Sequence, residues 1–179
     1  FRYLGTALGV FLIVEKDDAL YLIDQHAAHE RLLYNRFIAH AGESQGLLIP
    51  YVVETQSPEE DACLESILEG LRKAGFEGAN RGDGRWEFSS VPACWEGSEE
   101  DLRRDLLEER LAPDKIVSAL AATTACRAAI KEGHVLDSAT AEGIIRSALA
   151  LETPRCPHGR PVWFVLSRAE LYRQVRRTE

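Results

Sequence analysis

The residues Leu20-Tyr21-Leu22-Ile23-Asp24-Gln25-His26-Ala27-Ala28-His29-Glu30 carry an apolar strand directly into the polar start of a helix. Two imidazoles and two carboxylates fall within seven residues at that junction. Packing alone explains them poorly, because desolvating such groups unpaired costs several kcal/mol. A metal ion or a catalytic network offsets that cost, so the junction is the expected centre of function.

Working outward, Thr6 to Val14 is strongly apolar, Lys16-Asp17-Asp18 reads as a turn, and Ala19 to Ile23 returns as a second strand, which predicts a hairpin. The following helix spans about residues 25–41, with His26, Glu30, Leu33 and Phe37 on one stripe. Its N-terminal candidate ligands therefore face inward at the rim of the core. Residues 42–56 read as extended and contain Pro50. Ser57, Pro58 and Glu60 open a helix that ends near Gly75. Arg81-Gly82-Asp83-Gly84 predicts a turn before a strand over 85–91, and Ser98 caps a charged helix over 99–112. An alanine-rich buried helix is expected over 115–130 and another over 139–151. The turn Cys156-Pro157-His158-Gly159-Arg160-Pro161 leads into a strand at 162–166, and Ser167 with Glu170 opens a last helix over 168–175. The order predicts an α/β (α+β) fold: a two-part subdomain, residues 1–47 and 117–179, with a mixed sheet and helices, and a smaller charged subdomain inserted at 48–116.

Composition narrows the class. A chain of 179 residues with 45 % hydrophobic content suits one domain carrying a small insertion. It opens on Phe1 and contains no methionine, so a segment of a longer protein is expected. No run approaches the roughly 18–20 apolar residues of a membrane span. A net charge of −8 argues against a strong free-standing nucleic-acid binder; if the protein acts on DNA, something else brings it there. Arg168, Arg173, Arg176 and Arg177 read as a solvated helix face. Cys63, Cys94, Cys126 and Cys156 are widely spaced with no CxxC pair, which fits a reduced cytosolic protein.

Taken singly, His26 with Glu30 is an ordinary polar pair, Cys156-x-His158 is weak, and Cys126 is a small buried hydrophobe. Together their thiolate, imidazole and carboxylate groups make a donor set that Zn²⁺ accepts. Prolines at 154, 157 and 161 restrict the backbone that presents Cys156 and His158.

Asp24-Gln25-His26-Ala27-x-x-Glu30, then Ala125-Cys126-Arg127, then Cys156-Pro157-His158-Gly159-Arg160-Pro161, in that order, resemble the C-terminal domain of the MutL family of DNA mismatch repair proteins, and within it the branch with a latent nicking endonuclease. The resemblance covers nearly the whole chain. It implies a homodimeric domain in which residues 1–47 and 117–179 dimerise, the middle block is external and regulatory, and an ATPase half, where ATP binds, precedes Phe1. It places the metal site, for Zn²⁺ and/or Mn²⁺, on Asp24, His26, Glu30, Cys126, Cys156 and His158, with Asp24, His26 and Glu30 catalytic. Gln45-Gly46-Leu47-Leu48-Ile49-Pro50 resembles the family's sliding-clamp segment, with Gln45, Leu48, Ile49 and Pro50 as its contacts. The implied partners are a second copy, the sliding clamp, weakly bound duplex DNA and, through the full-length chain, a mismatch-recognition protein; no membrane is involved. The implied setting is the bacterial cytoplasm, at the nucleoid when active.

One position departs from the family pattern: Asn35 stands where a second glutamate is usual. Two expectations follow, a metal-dependent nicking endonuclease or a weak or inactive dimerisation scaffold with structural zinc. Position 35 lies about 140° around the helix from Glu30, too far to share its metal. Asn35→Glu is therefore expected to leave metal stoichiometry unchanged and to preserve or raise nicking, as checked by elemental analysis beside a plasmid assay.

Overall fold

Asp17 and Asp18 both adopt positive φ, 48° and 62°, the backbone that a tight two-residue hairpin turn requires and that aspartate tolerates. They join β2 (Phe11–Lys16) to β3 (Ala19–Asp24) in the computed structural model, which describes residues 1–108, 111–131 and 133–177. The expected strand over Thr6–Val14 is instead two strands. β1 (Arg2–Ala7) ends at a turn in which Leu8 and Gly9 take positive φ and the Val10 N–H donates to the Ala7 carbonyl at 3.1 Å. Gly9 permits a reversal that hydrophobicity alone does not reveal. Helix α1 (Gln25–Ala39) follows β3 without a linker.

Next come β4 (Ser44–Glu54), α2 (Pro58–Ala74), β5 (Glu77–Gly82), β6 (Arg85–Pro92) and α3 (Glu99–Leu107). A 3₁₀ turn at Pro113–Lys115 precedes α4 (Ile116–Ala128), and α5 (Ser138–Leu149), β7 (Trp163–Ser167) and α6 (Arg168–Gln174) complete the order. Helix α3 is shorter than the sequence predicts, and positions 109 and 110 of the expected helix lie outside the described residues. The expected caps form: Ser57 accepts from the Glu60 N–H, and Ser98/Asp101 and Ser167/Glu170 close capping boxes. β5 carries no apolar alternation and is held by its ladder with β6.

The class is α+β. Among the described residues one sheet has the order β1-β2-β3-β7 and the other β4-β6-β5, and every pairing is antiparallel rather than mixed. The chain divides into two compact units, residues 1–33 with 129–179, and residues 34–128. The divisions fall at 33/34 and 128/129 because Phe37 of α1 and Ile116, Leu120 and Ala121 of α4 belong to the second unit's core. The expected boundaries, 47/48 and 116/117, followed composition.

In the first unit Leu12, Val14, Ile23, Ala28, Ala141, Ile144, Ile145, Ala148 and Val162 form the core. The opposite sheet face is also apolar. Ile13, Leu22 and Phe164 are aligned across three strands, Leu20 faces Leu166 across two, and Phe164 is 60 % exposed.

In the second unit Phe76 meets Phe88 and Trp95 edge to face, and Trp86 donates Nε1–H to Asp61 at 2.7 Å. Buried Asp105 of α3 receives both terminal nitrogens of Arg127 of α4, each at 2.7 Å. The Asp105 carboxylate holds the Arg127 guanidinium above its usual pKa. Removing one partner of a buried pair strands the other charge, so Arg127→Ala is expected to destabilise the unit by about 3 kcal/mol, and adding Asp105→Leu to recover much of that loss. Urea denaturation of the single and double variants measures both.

Candidate metal centre

Helix α1 presents the first ligand because its start is tightly stitched. The Asp24 N–H donates to the Val162 carbonyl at 2.9 Å, and Asp24 Oδ1 accepts from the Ala27 N–H at 2.9 Å, capping the helix. Ala27, one turn before Glu30 on the same side of the helix, is fully buried, and Glu30 is withdrawn from solvent with it.

The other two ligands come from the turn before β7. The Cys156 N–H donates to the Arg160 carbonyl and the Gly159 N–H to the Cys156 carbonyl, both at 2.9 Å, while Arg155 Nη1 donates to the Gly159 carbonyl at 2.8 Å. Gly159 sits at φ 86°, a conformation that favours glycine. Locked in this way, the turn sets Cys156 and His158 beside Glu30.

One donor atom from each of Glu30, Cys156 and His158 lies within 4.8 Å of the other two. Donors of a tetrahedral Zn²⁺ stand about 3.3–3.8 Å apart, given bond lengths of roughly 2.0–2.3 Å, so small side-chain rotations bring the three onto one ion. Glu30 and Cys156 are buried, and the His158 side chain is 52 % exposed, so the cluster opens to solvent on the imidazole side. His158 Nδ1 lies 3.0 Å from Glu30 Oε1, yet neither Glu30 oxygen has a partner with hydrogen-bond geometry. A buried carboxylate in this condition is what a cation neutralises. The donor set fits a divalent metal.

The remaining expected residues stand as follows. His26 Nδ1 lies 2.8 Å from the Ile130 carbonyl, which only accepts, so Nδ1 carries the proton and the lone pair is on Nε2. This is the usual arrangement of a metal-binding or proton-accepting histidine. Asp24 commits one oxygen to the helix cap, and neither it nor His26 is in the three-residue cluster. Cys126 is on α4, in the second unit, and the cluster forms without it. Asn35 is partly buried on α1.

Sequence reasoning passed over Arg160. Its guanidinium is held above its usual pKa by Cys156 first and then by the charges of Glu30 and Asp24. Its place four residues after Cys156, inside a rigid turn, was the available signal. In the clamp-like segment the β4–β6 register shifts between Gly46 and Tyr51, leaving Leu48 and Ile49 exposed. Gln45 Nε2 makes only long contacts, 3.3 Å to the Trp95 carbonyl and 3.5 Å to that of Pro92.

Residues 4–136 match the family model described as the MutL C terminal dimerisation domain. The DNA mismatch repair protein MutL of Treponema pallidum (strain Nichols) is 43 % identical over 178 residues, covering 99 % of this chain and 29 % of the relative. The MutL of Halothermothrix orenii is 36 % identical over 90 % of this chain and 27 % of its own length. A MutL of Thermus thermophilus is 36 % identical over 98 % of this chain and 32 % of its own length. The chain belongs to the MutL family of DNA mismatch repair proteins, as its C-terminal dimerisation domain. It spans less than a third of the length of these relatives. Among the described residues no helix is long and apolar enough to cross a membrane.

Glu30→Gln is expected to lose metal binding, because a carboxylate donor is replaced by a neutral amide, and, without metal, to be no less stable than the parent. Denaturation with and without chelator, beside metal analysis, checks both halves.

Proposed function

We propose that this domain pairs with a second copy of itself through the open face of its first sheet and, with Zn²⁺ and/or Mn²⁺ bound, nicks one strand of duplex DNA when a sliding clamp engages it. The observation that carries the reading is buried Glu30, with His158 Nδ1 3.0 Å from one of its oxygens and the donor atoms of Glu30, Cys156 and His158 all within 4.8 Å of one another. Two anionic donors and one imidazole hold a divalent ion and leave a further position open. When bound, such an ion supplies a water of lowered pKa and charge against that developing on the phosphate.

The chain's own groups do the rest. The half-exposed His158 marks the side from which a phosphodiester approaches. His26, its Nδ1 proton committed to Ile130, takes up a proton at Nε2. Asp24 keeps its second oxygen for the site, and Cys126 enters the donor set on the family resemblance alone. The negative charge of the chain keeps intrinsic DNA affinity low, so cutting depends on recruitment. Exposed Leu48 and Ile49, followed by Pro50, suit docking as an extended peptide into an apolar groove, with the Gln45 amide released from its weak contacts. For pairing, the aligned row Ile13, Leu22 and Phe164 offers a self-complementary apolar face. The unit of residues 34–128 takes the regulatory role. ATP binding and contact with a mismatch-recognition protein fall to the rest of the full-length protein.

A second reading, a dimerisation scaffold with structural zinc, is favoured by Asn35 in place of the family's glutamate. Supercoiled plasmid with Mn²⁺, with and without a sliding clamp, separates the two. Nicked circles are expected only with metal, and more of them with clamp. The Gln45→Ala/Leu48→Ala double variant is expected to lose clamp binding with metal content unchanged. Stoichiometric metal without nicking under any of these conditions identifies the scaffold.

A further inference from the structure

The proposed chemistry leaves His29 without a role, although it lies one residue before Glu30. The structure shows what its imidazole touches. The Ile130 N–H donates to His29 Nδ1 at 3.1 Å, while the Ile130 carbonyl takes the proton of His26 Nδ1 at 2.8 Å. Both histidines of α1 thus hold the backbone of one residue, in opposite senses. An amide N–H only donates, so Nδ1 of His29 carries no proton; a carbonyl only accepts, so Nδ1 of His26 does. Gln25, buried at the start of the same helix, extends the grip through Nε2, which donates to the Gly9 carbonyl at 2.9 Å and to the His134 carbonyl at 3.1 Å. The Gly133 N–H adds a bond to the Gly9 carbonyl at 3.2 Å. Side chains from the opening turns of α1 therefore satisfy backbone groups at Ile130 and His134 that a loop otherwise leaves to water.

We infer that His29 is a positioning residue: by holding the Ile130 N–H it keeps the Ile130 carbonyl where it fixes His26 as the Nδ1–H tautomer, with Nε2 as the basic nitrogen. Without that anchor the Ile130 peptide loses one of the two side-chain bonds that orient it, and the hold of its carbonyl on the His26 tautomer weakens. The functional consequence rests on the proposed metal reading, whereas the hydrogen-bond relay does not. Outer partners that orient metal-binding histidines typically contribute about 10–100-fold to affinity. His29 acts one step further out, so the lower end of that range applies.

Long-range ¹H–¹⁵N spectra of the metal-free 179-residue chain read the tautomers directly. The expected result is a proton on Nδ1 of His26 and on Nε2 of His29. In His29→Leu, His26 is expected to become a mixture of tautomers and Zn²⁺ affinity, measured by competition with a chromophoric chelator, to fall about tenfold. His29→Asn, whose Oδ1 accepts the same N–H, is expected to keep both properties. A proton on His29 Nδ1 in the parent overturns the inference. So does an unchanged His26 tautomer and zinc affinity in His29→Leu, or an equal loss in the Asn and Leu variants. Should His29→Leu fail to fold, the parent spectra and His29→Asn decide. Should the tautomers be as expected while the parent binds no zinc, the metal reading fails and the relay stands.

Discussion

A fully buried carboxylate that meets an imidazole nitrogen at 3.0 Å, without a well-aligned hydrogen bond to either oxygen, is the constraint around which the first unit is arranged. Glu30 lies inside together with Ala27, one turn before it on the same side of the helix, which packs fully into the interior. Leaving an ionised carboxylate there without compensation costs several kcal/mol, a large share of a domain's net stability. The unit meets the cost by bringing Cys156 and His158 alongside on a turn stiffened by three prolines and closed by its own backbone hydrogen bonds. The result is a cluster of donors that fits a cation.

The polar residues preceding Glu30 divide the work. Asp24 caps the helix, Gln25 ties down Gly9 and His134, and His26 and His29 take the two polar backbone groups of Ile130. Four neighbours of the candidate ligand thus commit hydrogen bonds to backbone. The junction is rigid for that reason, and rigidity is what a site needs if donor atoms are to meet an ion without losing ordering entropy at binding. His26 serves both ends, since its bond to Ile130 leaves Nε2 as the acceptor.

The second unit separates a tightly paired interior from an exposed apolar strand segment. Arg127, next to Cys126 in the family's motif, is half-buried, committed to buried Asp105 and stacked 5.5 Å over Trp95, so its charge is used within the unit. The irregular part of β4, where the ladder with β6 lapses, instead leaves Leu48 and Ile49 exposed. A strand that bulges out of its ladder cannot bury those side chains itself, which makes it available to a partner.

Local chemistry was legible in the sequence wherever the deciding interaction is local. The paired aspartates of the hairpin, the caps at Ser57, Ser98 and Ser167, and the start of α1 at Gln25 all follow from side chains acting within four residues of their own position. The motifs named Glu30, Cys156 and His158 as candidates, but their convergence needed a turn and a helix more than a hundred residues apart to meet. Other features were not legible. The split of the first apolar run depends on Gly9 accepting positive φ, and β5 depends on β6 supplying its ladder. The division of α1 between two units depends on Phe37 finding the second core. The service of His29 and Gln25 to distant backbone depends on where residues 130 and 134 come to lie. By itself the sequence determined the helix starts, the turns and the donor chemistry, because those are properties of short segments. The tertiary structure alone decided which donors stand together and which polar groups are consumed in holding them, because both depend on contacts between residues far apart in the chain.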